Sequence, residues 1–209
     1  MGIKCLANCL LVNLKHNSLP HILAAAVLTA TVPIVFGLTS LSAPLSAQPL
    51  EMYLPLVGTI LMTPTFLPEQ NEDILDTIRV RRMSYLGICV MRMIYMCLFA
   101  TVFFCCIIGA LAAGESVVTP ALFAGGLCSA LFLGGLGIFG SAIGGNSIIG
   151  YMASLIYFVG NFFLKKRLGV FYLFALSEGT GVSKLWLLGG TLALIAAAFA
   201  YLRYIKKIH

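Results

Sequence analysis

The sequence predicts an all-α membrane protein, a bundle of six transmembrane helices that forms one transmembrane domain over residues 1–209. The first observation behind this prediction is composition. Of the 209 residues, 60% are hydrophobic and only 10% are charged, and the mean hydropathy is +1.02. A typical soluble domain has about 25% charged residues, so this chain lacks the polar groups needed to cover a soluble surface. The composition therefore excludes a soluble enzyme, a nucleic-acid-binding domain and a disordered tail.

The second observation is the spacing of the charged residues. Lys, Arg, Asp and Glu are absent from residues 16–50, 52–68, 93–114, 116–164 and 185–202. A helix needs about 20 residues to cross the bilayer core. The gap of 49 residues is too long for one span, and a Gly-rich run over 140–147 predicts a hairpin inside it. The runs are continuously apolar, unlike the alternating strands of a membrane barrel. Helical spans are expected at about 20–42, 50–67, 84–113, 117–141, 147–164 and 185–205.

The orientation in the membrane follows from the distribution of Lys and Arg. With the N-terminus inside, eight of these residues lie on the inner side and four on the outer side. Cytoplasmic loops carry the excess of positive charge, so both termini are expected to be cytoplasmic, in the cell membrane. The basic cluster Lys165, Lys166 and Arg167 is the exception: either it faces the outside, or one of the spans is miscounted.

The N-terminal residues 1–18 predict a helix lying at the membrane interface. Ile3, Leu6, Leu10 and Leu14 recur at helical spacing, with polar residues largely on the other sides. A frayed terminus is the alternative interpretation. Cys5 and Cys9 lie one helical turn apart, but no further ligands of the right kind are near, so no metal site is expected.

The connector between the second and third spans predicts a cytoplasmic coupling helix over about 69–82. Acidic residues come first and basic residues last, which is the order that a helix dipole favours. Ile74, Leu75 and Ile78 form one apolar stripe, which suits a groove on a soluble partner. An ordinary solvated connector is the alternative. The candidate docking residues are Glu72, Asp73, Ile74, Leu75, Asp76, Ile78, Arg79, Arg81 and Arg82.

Two further charged residues are candidate functional residues. Arg92 lies about two turns into the third span, where a charge is costly. Its side chain either extends along the helix to the interface or pairs with Glu72 or Asp76. Glu178 lies in an apolar, aromatic and then Gly-rich stretch that predicts an outer re-entrant segment over about 168–183. The alternative for these aromatic residues is an interfacial belt.

Several chemistries are not expected of this chain. It contains no GxxxxGK[ST] phosphate loop and no HExxH motif, so no catalytic, cofactor-binding or metal-binding residues are assigned. The run Gly135–Gly140 matches GxGxxG by letter, but no strand precedes it and no acidic residue follows at the right distance. The small residues Gly126, Ala130 and Gly134 instead predict close helix packing. No acid lies at the centre of an expected span, which disfavours a proton-coupled transporter.

This layout resembles the membrane subunits of type-2 ABC transporters, the ABC-2 permeases. The similar features are the interfacial N-terminal helix, six spans, the charged connector from Glu72 through Arg92, and the outer run Phe171 to Gly181 followed by Lys184-Leu185-Trp186. A basic tail, Arg203 to Lys207, ends the chain. The resemblance covers nearly all of the chain and rests on layout more than on invariant residues.

The resemblance implies a function and a set of partners. The chain would be a permease subunit that pairs with a second permease subunit, as a homodimer or heterodimer, and docks on a separate ATP-binding subunit. ATP would be bound and hydrolysed by that partner, so the chain itself would be no enzyme and would hold no cofactor. The expected activity is export of a peptide, antibiotic or other amphipathic substrate. The alternative is an ATPase-independent membrane protein, either a small secondary transporter or an assembly factor.

Overall fold

The structure, a computed structural model, describes residues 13–67, 85–179 and 184–204, and there is no strand among them. Five of its helices are long and apolar enough to cross a membrane. They are α1 (Leu19–Phe36), α2 (Tyr85–Ala113), α3 (Pro120–Gly144), α4 (Ser147–Leu164) and α5 (Leu185–Tyr204). The all-helical membrane class is therefore confirmed, with five long helices rather than six.

The five helices correspond to five of the six expected spans. Their bounds lie within three residues of the expected ones, except that α1 ends at Phe36 rather than near residue 42. Gly37 follows α1 with φ +57°, a conformation that glycine adopts without steric cost. Residues 37–42 therefore form a loop inside the long uncharged gap. Because this loop contains no charged residue, the spacing of charges did not indicate where α1 ends.

The second expected span, 50–67, lies in a helical path made of short pieces. Residues 43–66 form an α-helix (Ala43–Gln48), a π-helical turn (Pro49–Tyr53), an α-helix (Pro55–Met62) and a 3₁₀ turn (Thr63–Phe66). Each piece has a proline at its first or second position, and proline removes a backbone donor and crowds the preceding turn. We call residues 43–66 the interrupted segment.

Helix α3 is the centre of the bundle. Most of its apolar stretch is buried inside the protein, whereas the other four long helices bury less than a third of theirs. It packs against the interrupted segment, α4 and α5. Ser141 of α3 donates to the carbonyl oxygen of Thr63 at 3.1 Å, and Ser154 of α4 donates to that of Leu133 at 2.8 Å. Such interhelical hydrogen bonds stabilise helix pairs inside a membrane.

Small residues let the interrupted segment approach α3 closely. A Cβ atom at Gly58 would collide with the carbonyl oxygen of Ala130, and one at Gly126 would lie 2.9 Å from the carbonyl oxygen of Leu50. On α3, Gly134 meets the Met62 side chain in the same way. The expected close packing at residues 126, 130 and 134 is therefore confirmed, and its main partner is the interrupted segment.

The chain connections define two ends of the bundle. Residues 37–42, 114–119 and 165–179 lie at one end, which we call the loop end. There, Ser40 N donates to Gly114 O at 2.7 Å, and Val117 N donates to Leu41 O at 3.0 Å. Residues 67 and 85 lie at the opposite end.

Two of the expected elements lie largely or wholly outside the described residues. The interfacial helix over 1–18 is described only from Asn13 onwards, where Leu14–Ser18 forms a π-helical turn. The coupling helix over 69–82 and its nine candidate docking residues lie outside the described part of the chain.

Candidate functional site

A buried ion pair lies at the loop end of the bundle. Glu51, in the π-helical turn of the interrupted segment, has no exposed surface. Lys184, directly before α5, places its Nζ atom 2.6 Å from Glu51 Oε1, and its side chain is 9% exposed. A buried charge requires a partner and further hydrogen bonds to offset the loss of its hydration. The surroundings of both groups supply these bonds.

Glu51 binds the backbone of the segment that precedes Lys184. The amide of Leu176 donates to Oε1 at 3.1 Å, and the amide of Ser177 donates to Oε2 at 2.8 Å. Lys184 donates in turn to Ser129 Oγ at 3.2 Å and to the carbonyl oxygen of Leu173. All three donors of the ammonium group are thus directed at oxygen atoms. We call residues 172–179 the anchored segment.

Two polar side chains from neighbouring helices complete the support of the anchored segment. Asn161 of α4 accepts from Leu173 N at 2.9 Å through Oδ1 and donates to Tyr157 O at 2.8 Å. Ser129 of α3 donates to Leu173 O at 3.3 Å. Backbone groups that are buried outside regular helices need protein partners for their hydrogen bonds. Side chains from the interrupted segment, α3, α4 and the start of α5 do so here.

The side chains of the anchored segment are packed inside the protein. Tyr172, Leu173, Phe174 and Ala175 are each at most 3% exposed. The Phe174 ring lies 5.8 Å from that of Phe158 in an edge-to-face arrangement and 4.7 Å from that of Phe162. Aromatic pairs in such geometries contribute beyond the area that they bury. Tyr172 and Phe174 therefore belong to the protein interior, not to an interfacial belt.

Glu178 lies at the exposed edge of the same segment. Its Oε1 accepts a hydrogen bond of 2.7 Å from the hydroxyl of Tyr172. Burial, assisted by the hydrogen bond and the negative charge of Glu178, raises the pKa of Tyr172 above its usual range. Tyr172 is therefore a neutral donor at physiological pH. Glu178, a candidate from the sequence, is placed beside the buried ion pair without being part of it.

Arg92 is buried near the opposite end of the bundle, at 3% exposure. Its guanidinium donates to the carbonyl oxygen of Thr65 and, at 2.8 Å, to Asn13 Oδ1. The guanidinium group is thus held inside the protein at this end of the bundle, and the first interpretation from the sequence, extension along the helix to the interface, stays a prediction. The other interpretation involves Glu72 or Asp76, which lie outside the described residues. Arg92 joins the end of the interrupted segment to the residues before α1.

The sequence interpretation overlooked Glu51. No acid was expected at the centre of a span, and Glu51, near the start of the span expected over 50–67, does not contradict this; what the sequence did not predict is its complete burial. A signal was present, since Glu51 is the only charged residue between Lys15 and Glu69 and is flanked by Pro49 and Pro55. Lys184 gave no comparable signal. In the sequence it is one of four outer basic residues and the first residue of the Lys184-Leu185-Trp186 run, and neither feature points to Glu51.

The chemistry available to this site is binding and positioning. Within the described residues no group of three or more His, Cys, Asp or Glu side chains could hold a metal ion. The Glu51–Lys184 pair connects the interrupted segment, the anchored segment and the start of α5, so a movement of one of these elements requires the pair to move or break. Comparisons of the chain with protein-family models, with curated proteins and with solved structures found no match.

Proposed function

We propose that the chain is the membrane-spanning permease subunit of an ATP-driven transporter, built from six spans. The five long helices supply five of them, and the interrupted segment supplies the sixth. Residues 43–66 follow a helical path of 24 residues. At about 1.5 Å per residue this path is about 36 Å long, which is sufficient for the roughly 30 Å hydrocarbon core.

The anchored segment is the observation that carries this proposal. In the ABC-2 layout a short outer element precedes the last span, and here residues 172–179 occupy that position in the chain. They are packed into the bundle and bound to Glu51, Ser129 and Asn161 instead of lying free at the surface. Such a segment can close one end of a substrate path, and its release from Glu51 would open that end.

The remaining parts of the proposal follow from the same layout. Two permease subunits, alike or different, would pair in the cell membrane with their N- and C-termini in the cytoplasm. Each would dock a separate ATP-binding subunit through the coupling helix expected over residues 69–82. The substrate class is a peptide, antibiotic or other amphipathic molecule, and the direction is export.

The test is a double substitution in the expected coupling helix. Ile74→Ala combined with Ile78→Ala truncates two of the three side chains of the apolar stripe that would contact the ATP-binding subunit. Burying side chains of this size contributes about 1.5–3 kcal/mol each. The double variant should therefore bind that subunit at least about tenfold more weakly, while membrane insertion is unchanged. Association is measured as ATP hydrolysis that co-purifies with the detergent-solubilised chain.

The matched control is Thr77→Ala, on the same expected helix but outside the apolar stripe. It should retain association and transport. If the double variant keeps full association, the coupling assignment is wrong. If no ATP-hydrolysing subunit accompanies the unmodified chain, the permease proposal fails with it.

A second candidate function is transport without an ATPase, and the Glu51–Lys184 pair favours it. Ionisable residues inside membrane spans commonly mark ion or proton pathways, and transporter sites are often built on broken helices. The purified chain alone, reconstituted in vesicles with a pH gradient and a fluorescent amphipathic peptide, separates the two candidates. Peptide uptake that depends on the gradient and needs no ATP would support this second function over the first.

A further inference from the structure

A second feature of the bundle is an apolar groove on the surface between α4 and α5. It has a volume of about 550 Å³ and is lined almost wholly by apolar atoms. Its floor is α3, through Phe132 and Leu136, and its sides include Tyr157 of α4 and Ala193 and Ala197 of α5. Phe171 closes it at the loop end. The groove shares no lining residue with the Glu51–Lys184 pair.

Among the lining residues of the groove only Tyr157 has a polar side-chain group. The Tyr157 hydroxyl is directed at the carbonyl oxygen of Phe171, at 2.6 Å. The surfaces of both flanking helices are apolar and exposed, as at Ile156 of α4 and Leu192 of α5, which are 71% and 70% exposed. In a membrane these surfaces face lipid, so the groove opens sideways into the acyl chains.

The shape of the groove suits a chain-like occupant. Residues 190, 193 and 197 of α5 line it, and their spacing places them on one face of the helix. From residue 190 to residue 197 the helix rises about 10 Å. The groove therefore runs along the bundle axis from Phe171 at the loop end towards the middle of the membrane, which is the direction of a lipid acyl chain.

Positive charge lies at the loop end of the groove. Lys165 and Arg167 are exposed in the 3₁₀ turns of Lys165–Phe171, which also contribute the lining residues Leu168 and Phe171. These residues belong to the basic cluster that departs from the expected charge distribution. A role in binding an anion would account for positive charge at this position.

We propose that this groove binds an acyl chain of an anionic phospholipid whose head group is held by Lys165 and Arg167. The acyl chain fills the space between α4 and α5 over Phe132, and the phosphate lies at the loop end. Each basic side chain near a membrane surface strengthens binding of anionic lipid by about fivefold. The site is independent of the ATP-binding partner, so its test does not depend on the proposed transport function.

The single tryptophan of the chain provides the measurement. Trp186 is 60% exposed and lies four residues before Gly190, on the groove face of α5. The full chain is reconstituted in mixed phosphatidylcholine and phosphatidylglycerol vesicles, with bromine on the acyl chains of one lipid at a time. Bromine quenches tryptophan fluorescence on contact. We expect brominated phosphatidylglycerol to quench Trp186 at a several-fold lower mole fraction than brominated phosphatidylcholine.

Two variant pairs test the two halves of the site. Lys165→Gln with Arg167→Gln should reduce the preference for phosphatidylglycerol to about one, whereas Arg203→Gln, at the far end of α5, should leave it unchanged. Ala193→Phe fills the groove and should lower quenching by phosphatidylglycerol. Ala196→Phe makes the same change at an exposed position outside the lining and should not.

Four results would overturn the proposal. Equal quenching by the two lipids would show that the site has no preference for anionic lipid. An unchanged preference in the double Gln variant would show that Lys165 and Arg167 do not hold the head group. Equal effects of Ala193→Phe and Ala196→Phe on quenching would show that the acyl chain does not bind in the groove. If Ala193→Phe instead disrupts self-association in detergent without changing the quenching, the groove is a contact between copies of the chain and the lipid assignment is wrong.

Discussion

At the scale of single residues, the Glu51–Lys184 pair is stable because nearly every polar atom around it has a partner. Glu51 accepts from Lys184 and from two backbone amides, and Lys184 donates to two further oxygen atoms. Replacing a whole buried pair by apolar groups often costs little, but removing one partner leaves an uncompensated charge. The two kinds of substitution therefore distinguish a paired charge from a merely buried one.

We predict that Glu51→Gln lowers the free energy of unfolding by about 3–5 kcal/mol, because it leaves the Lys184 ammonium group buried without its counter-ion. The measurement is denaturant unfolding of the purified chain in detergent micelles. Glu178→Gln is the matched control. It is exposed and should change stability by less than about 0.5 kcal/mol.

The double variant Glu51→Gln with Lys184→Met completes the test of the pair. Once the charge on residue 184 is removed, Glu51→Gln should lower the free energy of unfolding by less than it does alone. The destabilising effects of the two substitutions should therefore not be additive. Additive effects would show that the two side chains stabilise the protein independently. In that case the ion pair would not connect the anchored segment to the interrupted segment.

At the scale of elements, the packing of the interrupted segment against α3 depends on the absence of side chains. Gly58 faces the backbone of Ala130, which cannot move aside as a flexible side chain can. In contrast, Gly109 of α2 has open space where a Cβ atom would lie. The same substitution at the two positions therefore separates steric exclusion from helix propensity.

We predict that Gly58→Ala destabilises the protein by about 1–3 kcal/mol, because the added methyl group forces the interrupted segment away from α3. Gly109→Ala should be neutral or stabilising by up to about 1 kcal/mol, since alanine is the better helix former. Thermal unfolding of both variants in detergent gives the comparison. Equal stability of the two variants would contradict the close approach at Gly58.

At the scale of the whole molecule, the five long helices and the interrupted segment run in alternating directions along the chain. The described connections between them therefore lie at the two ends of the bundle. The loops 37–42 and 114–119 meet through hydrogen bonds from Ser40 and Val117. The Lys165–Phe171 turns and the anchored segment lie at this same end. Whichever side of the membrane receives Glu115 must therefore also receive the basic cluster.

We predict from the charge distribution that reporter fusions after residues 82 and 209 report the cytoplasm and that fusions after 115 and 167 report the outside. The last two must agree with each other because their loops lie at one end of the bundle. An outside signal at residue 82 would reverse the orientation. Opposite signals at 115 and 167 would contradict the helix order itself.

The sequence by itself determined the class of protein and the positions of the five long helices. This was possible because the information is local. An uncharged run of about 20 residues in lipid must satisfy its backbone internally and therefore forms a helix. The Gly-rich run over 140–147 separated α3 from α4 for a similarly local reason, since Gly145 adopts φ +65° at the turn.

Only the tertiary structure decided which residues form the candidate site. Glu51 and Lys184 are far apart in the sequence, and neither has a local pattern that selects the other. Their pairing depends on the close packing of the interrupted segment against α3 and on the burial of the anchored segment in the bundle. The sequence predicted an outer re-entrant segment or an interfacial belt for residues 172–175 but not their burial, because burial by distant helices leaves no periodic signal in a short segment. Leaving the backbone amides of the anchored segment or the charges of Glu51 and Lys184 buried without partners would cost free energy. For this reason tertiary packing, and not local propensity, determines which residues form the site.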